Sequence, residues 1–210
     1  MGAPRLAPIL SEHSVSTGVE AKSNRALILD AAVQLIGRNG VAQVKSAVVA
    51  KEAGVSVGLV HYHFATLDQL AREAFLYADA ITIRAMAEAA SAASSGRDEI
   101  DRRLFPWLEG TDEFQQAWEI WGEFWHASRH DEAVRALLHD SWEEWVQLIA
   151  EAIERGRGDG SIAAKVDPME AARRLAALLE SLGQQLTTGL IGPDQARGLL
   201  RGAIEREFPE

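Results

Sequence analysis

The chain has 210 residues, of which 47% are hydrophobic, and its formal net charge is −10. This length allows one domain or a small domain joined to a larger one, and the acidic total argues against nucleic-acid binding over the whole surface. There is no cysteine, which excludes disulfides and thiolate metal sites. Because no run of about 18 apolar residues and no signal-peptide pattern is present, we expect a soluble cytoplasmic protein that does not involve a membrane.

The charge is distributed unevenly along the chain. Residues 1–66 hold six Lys and Arg residues against four acidic ones, whereas the remaining 144 residues hold 15 against 27. A mildly basic segment before an acidic one is typical of a protein whose first part meets phosphates. Two ordinary solvated surfaces would give the same counts, so this alternative stays open.

The first elements of the chain are an arm and a helix. Residues 1–20 are rich in Ser, Pro and Gly and lack hydrophobic periodicity, which predicts a disordered arm. Apolar residues then recur at helical spacing over about residues 22–39. Ser23 or Asn24 can cap this helix, and Gly40 marks its end.

Residues 44–70 predict two short helices joined by a tight turn. Gly54 suits the left-handed residue that ends a helix because it has no Cβ, and Ser56 is a natural N-cap for the next helix. This is the helix-turn-helix pattern, whose second helix can enter a DNA major groove. Thr66 and Gln69 then form a capping box that starts a long helix.

The remaining sequence predicts five more helices and no strand. The expected ranges are about 98–109, shortened or bent by Pro106, then 112–128, 131–155, 168–190 and a last helix from Pro193, with a loop at 156–161. We therefore expect an all-α chain of about nine helices. A three-helix helix-turn-helix DNA-binding domain (21–66) would precede a helical ligand-binding and dimerisation domain (67–210).

All six tryptophans lie between Trp107 and Trp145. Several aromatic residues follow one stripe of a helix, which is most often a packed core. Alternatively, some rings line a cavity for a small apolar or cationic effector, because indole faces attract quaternary ammonium groups. The candidate effector-binding residues are Phe105, Trp107, Trp118, Trp121, Trp125, His126 and Trp142.

A neighbouring stripe carries Glu119, Glu123, His126 and His130. The two histidines are four residues apart, as in helical two-histidine metal sites, but no third ligand accompanies them. A solvated face or the rim of a pocket fits this stripe better. A nucleophile elbow and a phosphate-binding loop are also missing from the sequence, so we expect neither catalysis nor a metal or cofactor.

Residues 25–70 resemble the N-terminal domain of the TetR family of bacterial transcription regulators. The resemblance rests on a helix ending in Gly40, then Ala50, Ala53-Gly54-Val55-Ser56, Gly58 and Tyr62-His63-Phe64 before a new helix start. It implies an operator-binding head, a regulatory body and a homodimer formed through the last two helices. Phe124-Trp125, Trp142, Trp145 and the later GDGSI are similar to the choline-responsive BetI type of C-terminal domain.

The resemblance also implies roles for single residues. Residues at the start of the second helix commonly contact phosphates, and residues of the third helix commonly face bases or the DNA backbone. The DNA-binding residues implied in this way are Lys45, Ser46, Ser56, Val57, Gly58, His61, Tyr62 and His63. Leu67 departs from the family, which very often has a phosphate-contacting Lys there, and Val57 offers no polar group.

The predicted function is a ligand-responsive repressor that binds a palindromic double-stranded DNA operator as a homodimer and is released by a small effector. Because Leu67 and Val57 replace polar contacts, we expect weaker or narrower DNA binding than in a family member with the full basic set. The alternative is a dimeric helical small-molecule-binding protein with a weak or non-functional DNA-binding head.

Overall fold

The computed structural model describes residues 23–209, which form nine α-helices and two short 3-10 helices without any strand. The all-α prediction is confirmed, while the predicted arm, residues 1–20, lies outside the described residues. The helices are α1 (Asn24–Asn39), α2 (Ser46–Ala53), α3 (Val57–His63), α4 (Leu67–Ala90), α5 (Gly96–Leu104), α6 (Asp112–Ala127), α7 (Glu132–Asp159), α8 (Pro168–Thr187) and α9 (Pro193–Glu207). The 3-10 helices are Val41–Gln43 and Phe105–Leu108.

Local capping signals set most helix starts. The Ser23 hydroxyl accepts a hydrogen bond from the Ala26 backbone N–H at 3.3 Å at the start of α1. Asp167 accepts from the Glu170 N–H at 2.9 Å before α8, whose first residue is a proline. Such caps satisfy backbone donors that the first turn leaves unpaired. Pro106 lies in the 3-10 helix that follows α5, so the predicted shortening of that helix is confirmed.

The predicted loop at residues 156–161 is wrong in its first part, because α7 continues to Asp159. Gly156 lies inside the helix at a close approach to the start of α5, where a Cβ on Gly96 would be 2.1 Å from the Gly156 nitrogen. Asp159 accepts from the Gly96 N–H at 2.7 Å. The chain leaves the helix at Gly160, with φ +80°. Gly156 therefore allows close packing against α5, and the sequence alone does not distinguish such a glycine from one that begins a loop.

The described chain divides into two compact units. The first, called the helix-turn-helix unit, contains the described residues up to Thr82 together with Glu119–Leu138. The second, called the C-terminal unit, contains Ile83–Trp118 and the described residues from His139 onward. Helices α4, α6 and α7 each contribute a segment to both units.

Each unit has its own fully buried side chains, which contribute about 1.5–3 kcal/mol each by leaving water. In the helix-turn-helix unit these include Ile28, Ile36, Phe64, Leu70, Phe75 and Phe124. In the C-terminal unit they include Ile100, Leu104, Leu108, Ile149, Ile153 and Leu175. None of the helices within residues 23–209 is long and apolar enough to cross a membrane.

Candidate functional sites

The turn between α2 and α3 has the geometry that its sequence predicts. Gly54 adopts the left-handed conformation, with φ +68° and ψ +28°, and its N–H bonds back to the last turn of α2. The Ser56 hydroxyl accepts from the Leu59 N–H at 3.2 Å and so caps α3. Because this bond uses a lone pair of the Ser56 oxygen, the hydroxyl proton is still available to a further acceptor.

Helix α3 buries one face and exposes another. Val60 and the following Phe64 are buried, with 1% and 2% of their surfaces exposed. The opposite face carries Val57, Gly58, His61 and Tyr62, all exposed, and Tyr62 is 81% exposed. An exposed aromatic ring on a short helix that is anchored from behind is available for contact with another molecule.

The other predicted DNA contacts lie around this exposed face. Lys45 is the exposed N-cap residue of α2, and Ser46 is the half-buried first residue of that helix. His63 is also half-buried, and its ring meets the Tyr62 ring edge-on at 5.1 Å. The start of α2 therefore offers backbone N–H groups and one cation, a combination that suits a phosphate.

The start of α4 forms the Thr66 half of the predicted capping box, whereas the Gln69 side chain bonds the residue before the N-cap. Thr66 Oγ1 accepts from the Gln69 N–H at 3.0 Å, and the Gln69 side-chain oxygen accepts from the Ala65 N–H at 3.0 Å. Leu67, the first residue of the helix, has 37% of its surface exposed. An apolar side chain is thus presented to solvent at the position where the family resemblance implies a lysine.

The candidate effector residues are divided between the two units. Four belong to the C-terminal unit and three to the helix-turn-helix unit. The first group is Phe105, Trp107, Trp118 and Trp142, and the second is Trp121, Trp125 and His126. The aromatic stripe predicted on α6 is therefore shared between two packing environments.

In the C-terminal unit, Trp107 is the centre of an aromatic cluster. Its ring lies 5.3 Å from Trp118, 5.4 Å from Phe114 and 5.8 Å from Trp145, in edge-to-face arrangements. The Trp118 indole N–H donates to the Trp107 carbonyl at 3.0 Å. The Trp107 and Trp118 rings are almost fully buried and packed as core, whereas Phe105 and Trp142 are half-buried. The Arg201 guanidinium lies 5.2 Å from the Phe105 ring.

In the helix-turn-helix unit, the candidates differ in burial. Trp121 is half-buried and packs edge-on against Phe75 at 5.3 Å. Trp125 is 41% exposed, and His126 is exposed with its ring 6.3 Å from that of His130. Within residues 23–209, no cluster of three or more His, Asp or Glu side chains is placed to hold a metal ion.

Glu123 makes a contact that the sequence did not reveal. Its Oε2 accepts from the Val41 N–H at 3.1 Å, and a Cβ on Gly40 would lie 2.8 Å from the same oxygen. Gly40 has φ +80°. The carboxylate of α6 thus holds the turn between α1 and α2. The only signal in the sequence is an acidic residue beside Phe124 and Trp125.

Glu180 on α8 is the second residue that sequence reasoning missed. Its side chain is half-buried, and burial raises the pKa of its carboxyl to about 7. The Gln184 amide donates to it at 3.2 Å, which offsets part of this rise in pKa. Glu180 is the one acidic residue between Ala171 and Thr187 in the sequence, and this isolation in an apolar stretch is the signal that could have found it.

An anchored, exposed α3 after a glycine turn defines a helix-turn-helix protein, and the comparisons with known proteins agree. Residues 28–74 match the family model of bacterial regulatory proteins of the tetR family, and residues 97–209 match the C-terminal model of BetI-type transcriptional repressors. No curated protein sequence matches the chain significantly.

Solved structures with the same fold include several bacterial regulators. A TetR-family regulator from Rhodococcus sp. is 30% identical, with 90% of this chain and 100% of that chain covered and a TM-score of 0.81. A regulator from Saccharomonospora viridis, solved in complex with choline, is 28% identical, with the same coverage and a TM-score of 0.78. A regulator from Pseudomonas aeruginosa PAO1 is 25% identical, with 86% and 88% covered and a TM-score of 0.71.

The chain belongs to the TetR family of transcriptional regulators, with a C-terminal region of BetI type. The family recognised from residues 25–70 is thereby confirmed, and so is the likeness of the C-terminal region to BetI. The matched families and the similar structures are transcriptional regulators and not enzymes.

Proposed function

We propose that this chain is a homodimeric repressor that binds a palindromic operator through α3 and is released by a small cationic effector. Residues 21–66 bind DNA in this proposal, and residues 67–210 bind the effector and form the dimer. The observation that carries it is the exposed face of α3, with Tyr62 81% exposed on a helix anchored by buried Val60 and Phe64.

The exposed groups of α3 fit direct contact with DNA. His61 can donate to a base acceptor such as guanine N7, and the Val57 side chain can meet a thymine methyl group. Tyr62 can hydrogen-bond a phosphate through its hydroxyl, and Lys45 and Ser46 can meet a phosphate at the start of α2. The free hydroxyl proton of Ser56 adds one more donor at the start of α3.

The two closing helices support dimerisation. Leu190, between α8 and α9, is 74% exposed, and Leu199 on α9 is 47% exposed. Gly198 and Gly202, four residues apart on α9, leave room for a close approach of helix axes. Two copies paired in this way would present two α3 helices to successive major grooves.

The effector class is proposed from the aromatic composition and from one relative. The Saccharomonospora viridis regulator was solved in complex with choline, a quaternary ammonium compound. The present chain has six tryptophans between Trp107 and Trp145, and tryptophan attracts such cations. An effector releases DNA only if it binds more tightly to a dimer geometry that does not fit the operator. Because Glu123 on α6 accepts from the Val41 N–H in the turn before α2, a shift of α6 would be transmitted to the DNA-binding residues 21–66.

A mobility-shift assay with DNA from upstream of the gene tests this function, at about 50 and 200 mM salt because phosphate contacts weaken with salt. We expect a shift at the lower salt, weakened roughly ten- to hundredfold by Tyr62→Ala or His61→Ala. Glu88→Ala, at an exposed position of α4, is the control and should bind like the wild type.

A second candidate function has its own supporting observation. Val57 and Leu67 expose apolar surface where a DNA-binding head would gain from polar groups. A folded dimer that binds choline but retards no DNA at low salt would favour the helical small-molecule-binding protein over the repressor.

A further inference from the structure

Carboxylates of the C-terminal unit that are withdrawn from water generally have a cation beside them. Glu99, only 7% exposed, accepts from Arg103 at 2.7 Å and from Arg155 Nε at 2.7 Å. Arg97 lies 3.8 Å from the Asp101 carboxylate. The fold thus supplies guanidinium groups where it desolvates acids, as the cost of burying an unpaired charge requires.

Glu180 breaks this pattern. Among the described residues, no Lys, Arg or His forms an ion pair with it, and the Gln184 amide at 3.2 Å is its hydrogen-bond donor. Arg173, two turns earlier on α8, does not serve it, since both of its terminal nitrogens bond to Glu143 of α7 at 3.0 and 2.9 Å. A half-buried carboxylate that the fold leaves without a counter-charge is typical of a functional site.

Trp118 of α6 contacts α8 at Gly183 and Gln184, within one turn of Glu180. The Gln184 amide nitrogen also lies 3.4 Å from the Trp118 carbonyl oxygen. Both oxygens therefore face one nitrogen and are at most about 7 Å apart, by ordinary hydrogen-bond lengths. A Cβ on Gly183 would lie 2.2 Å from Trp118 Cε2, so the indole is pressed against α8 one turn from the carboxylate.

This arrangement suits one chemical class of ligand. A primary ammonium has three N–H donors to satisfy, whereas this site presents one carboxylate and one main-chain carbonyl near one indole ring. A quaternary ammonium group has no N–H to satisfy and is favoured by a counter-charge in apolar, aromatic surroundings. We infer that Glu180 is the counter-charge that binds the quaternary ammonium group of the effector, on the side of α8 that faces Trp118.

This inference rests on the proposed function, because it presumes that the C-terminal unit binds an effector. It adds the residue that makes binding selective for charge. If it is correct, wild-type protein should prefer choline to its uncharged carbon isostere, 3,3-dimethyl-1-butanol. Selectivity of this kind depends on the carboxylate and not on ligand shape, which the two compounds share.

The test measures the dissociation constants of choline and of the isostere by isothermal titration calorimetry. Wild-type protein should prefer choline at least tenfold, and Glu180→Gln should lose most of that preference while its affinity for the isostere stays within about twofold. Glu180→Asp should retain part of the preference because it keeps the charge. Glu143→Gln is the matched control, because the carboxylate that it removes is already paired with Arg173. This variant should keep the full preference for choline.

The outcomes separate the inference from the proposed function. If Glu180→Gln keeps the preference for choline, Glu180 is not the counter-charge, and the proposal of a cationic effector stands. If wild-type protein binds neither choline nor tetramethylammonium, the cationic class is wrong and the inference falls with it, while the DNA-binding assay still judges the repressor. If Glu180→Gln changes the oligomer mass in light scattering, a cation of a second subunit is the partner, which also overturns the inference. Circular dichroism should show the variants folded like the wild type.

Discussion

Two carboxylates on helices of this protein, those of Glu180 and Glu123, differ in how the fold accommodates their negative charge. Burial disfavours the ionised form of Glu180 and raises its pKa to about 7. Glu123 is a carboxylate with a structural partner, the Val41 N–H. The two residues show that a carboxylate on a helix can either be satisfied by the fold or be left for another molecule.

The raised pKa of Glu180 predicts a pH dependence of stability. The unfolded chain ionises this group near its usual value of 4.5, but the folded protein resists ionisation until about pH 7. Below pH 4.5 Glu180 is protonated in both the folded and the unfolded chain and does not lower the free energy of unfolding. As the pH rises from 4.5 to 7, the unfolded chain ionises first, so the free energy of unfolding falls. The loss should be on the order of 1–3 kcal/mol in the absence of effector.

Chemical denaturation of wild-type and Glu180→Gln protein between about pH 4.5 and 8 measures this loss of stability. The variant should gain on the wild type from about pH 4.5 to about 7 and keep that gain at higher pH, because glutamine has no charge to bury. Glu143→Gln should show no such gain, since the bond from Arg173 lowers the pKa of Glu143. An equal stability of wild type and Glu180→Gln at all pH values would refute the raised pKa.

At the scale of elements, close contact between α6 and α8 depends on a missing side chain. Gly183 faces the Trp118 ring so closely that a Cβ would overlap three ring atoms at 2.2–2.5 Å. The ring cannot easily yield, because its N–H is bonded to the Trp107 carbonyl and only 5% of the residue's surface is exposed. Two helices are thus locked in register by one glycine and one tryptophan.

Gly183→Ala should consequently lower the free energy of unfolding by about 1–3 kcal/mol, through overpacking. Gly158→Ala is the control, because Gly158 lies within α7 and a Cβ added to it would meet no atom within 4 Å. It should raise stability by about 0.5–1 kcal/mol, since alanine favours a helix over glycine. Urea denaturation separates the two, and equal effects of both changes would mean that the contact with Trp118 is not tight in solution.

At the scale of the whole molecule, the uneven charge limits how DNA is bound. The acidic majority of the chain repels phosphates, so the head must bind through few local contacts. Leu67 leaves one potential contact unused, at the first residue of α4 with 37% of its surface exposed. Each phosphate contact changes the slope of log affinity against log salt by about 0.9.

Leu67→Lys should therefore tighten operator binding and steepen the salt dependence by about 0.9. Leu76→Lys is the control, because Leu76 is a similarly exposed leucine farther along the same helix, 44% exposed. It should change the salt slope little. Titrations at several salt concentrations give both slopes, and identical slopes for the two variants would show that residue 67 does not meet a phosphate.

Local sequence was sufficient to predict the features that depend on neighbouring residues. The helix-turn-helix motif was predictable because Gly54, Ser56 and Thr66 act on residues close to them in the chain, through backbone conformation and caps. The family was recognisable for the same reason, since its signature is short and continuous. The nine helices of the described residues followed from hydrophobic periodicity, which reports on one helix at a time.

Packing between distant segments gave similar residues different roles, which no local pattern could predict. Trp118 and Trp125 belong to one stripe of α6, yet one is buried against Gly183 and the other is 41% exposed. Gly156 was predicted to open a loop and instead lies inside α7, at its approach to Gly96. Glu180 stands out in the sequence only as an acidic residue in an apolar stretch, and the structure adds that no described Lys, Arg or His forms an ion pair with it. These differences arise from contacts between residues far apart in the chain, whose energies the sequence pattern around each residue does not record.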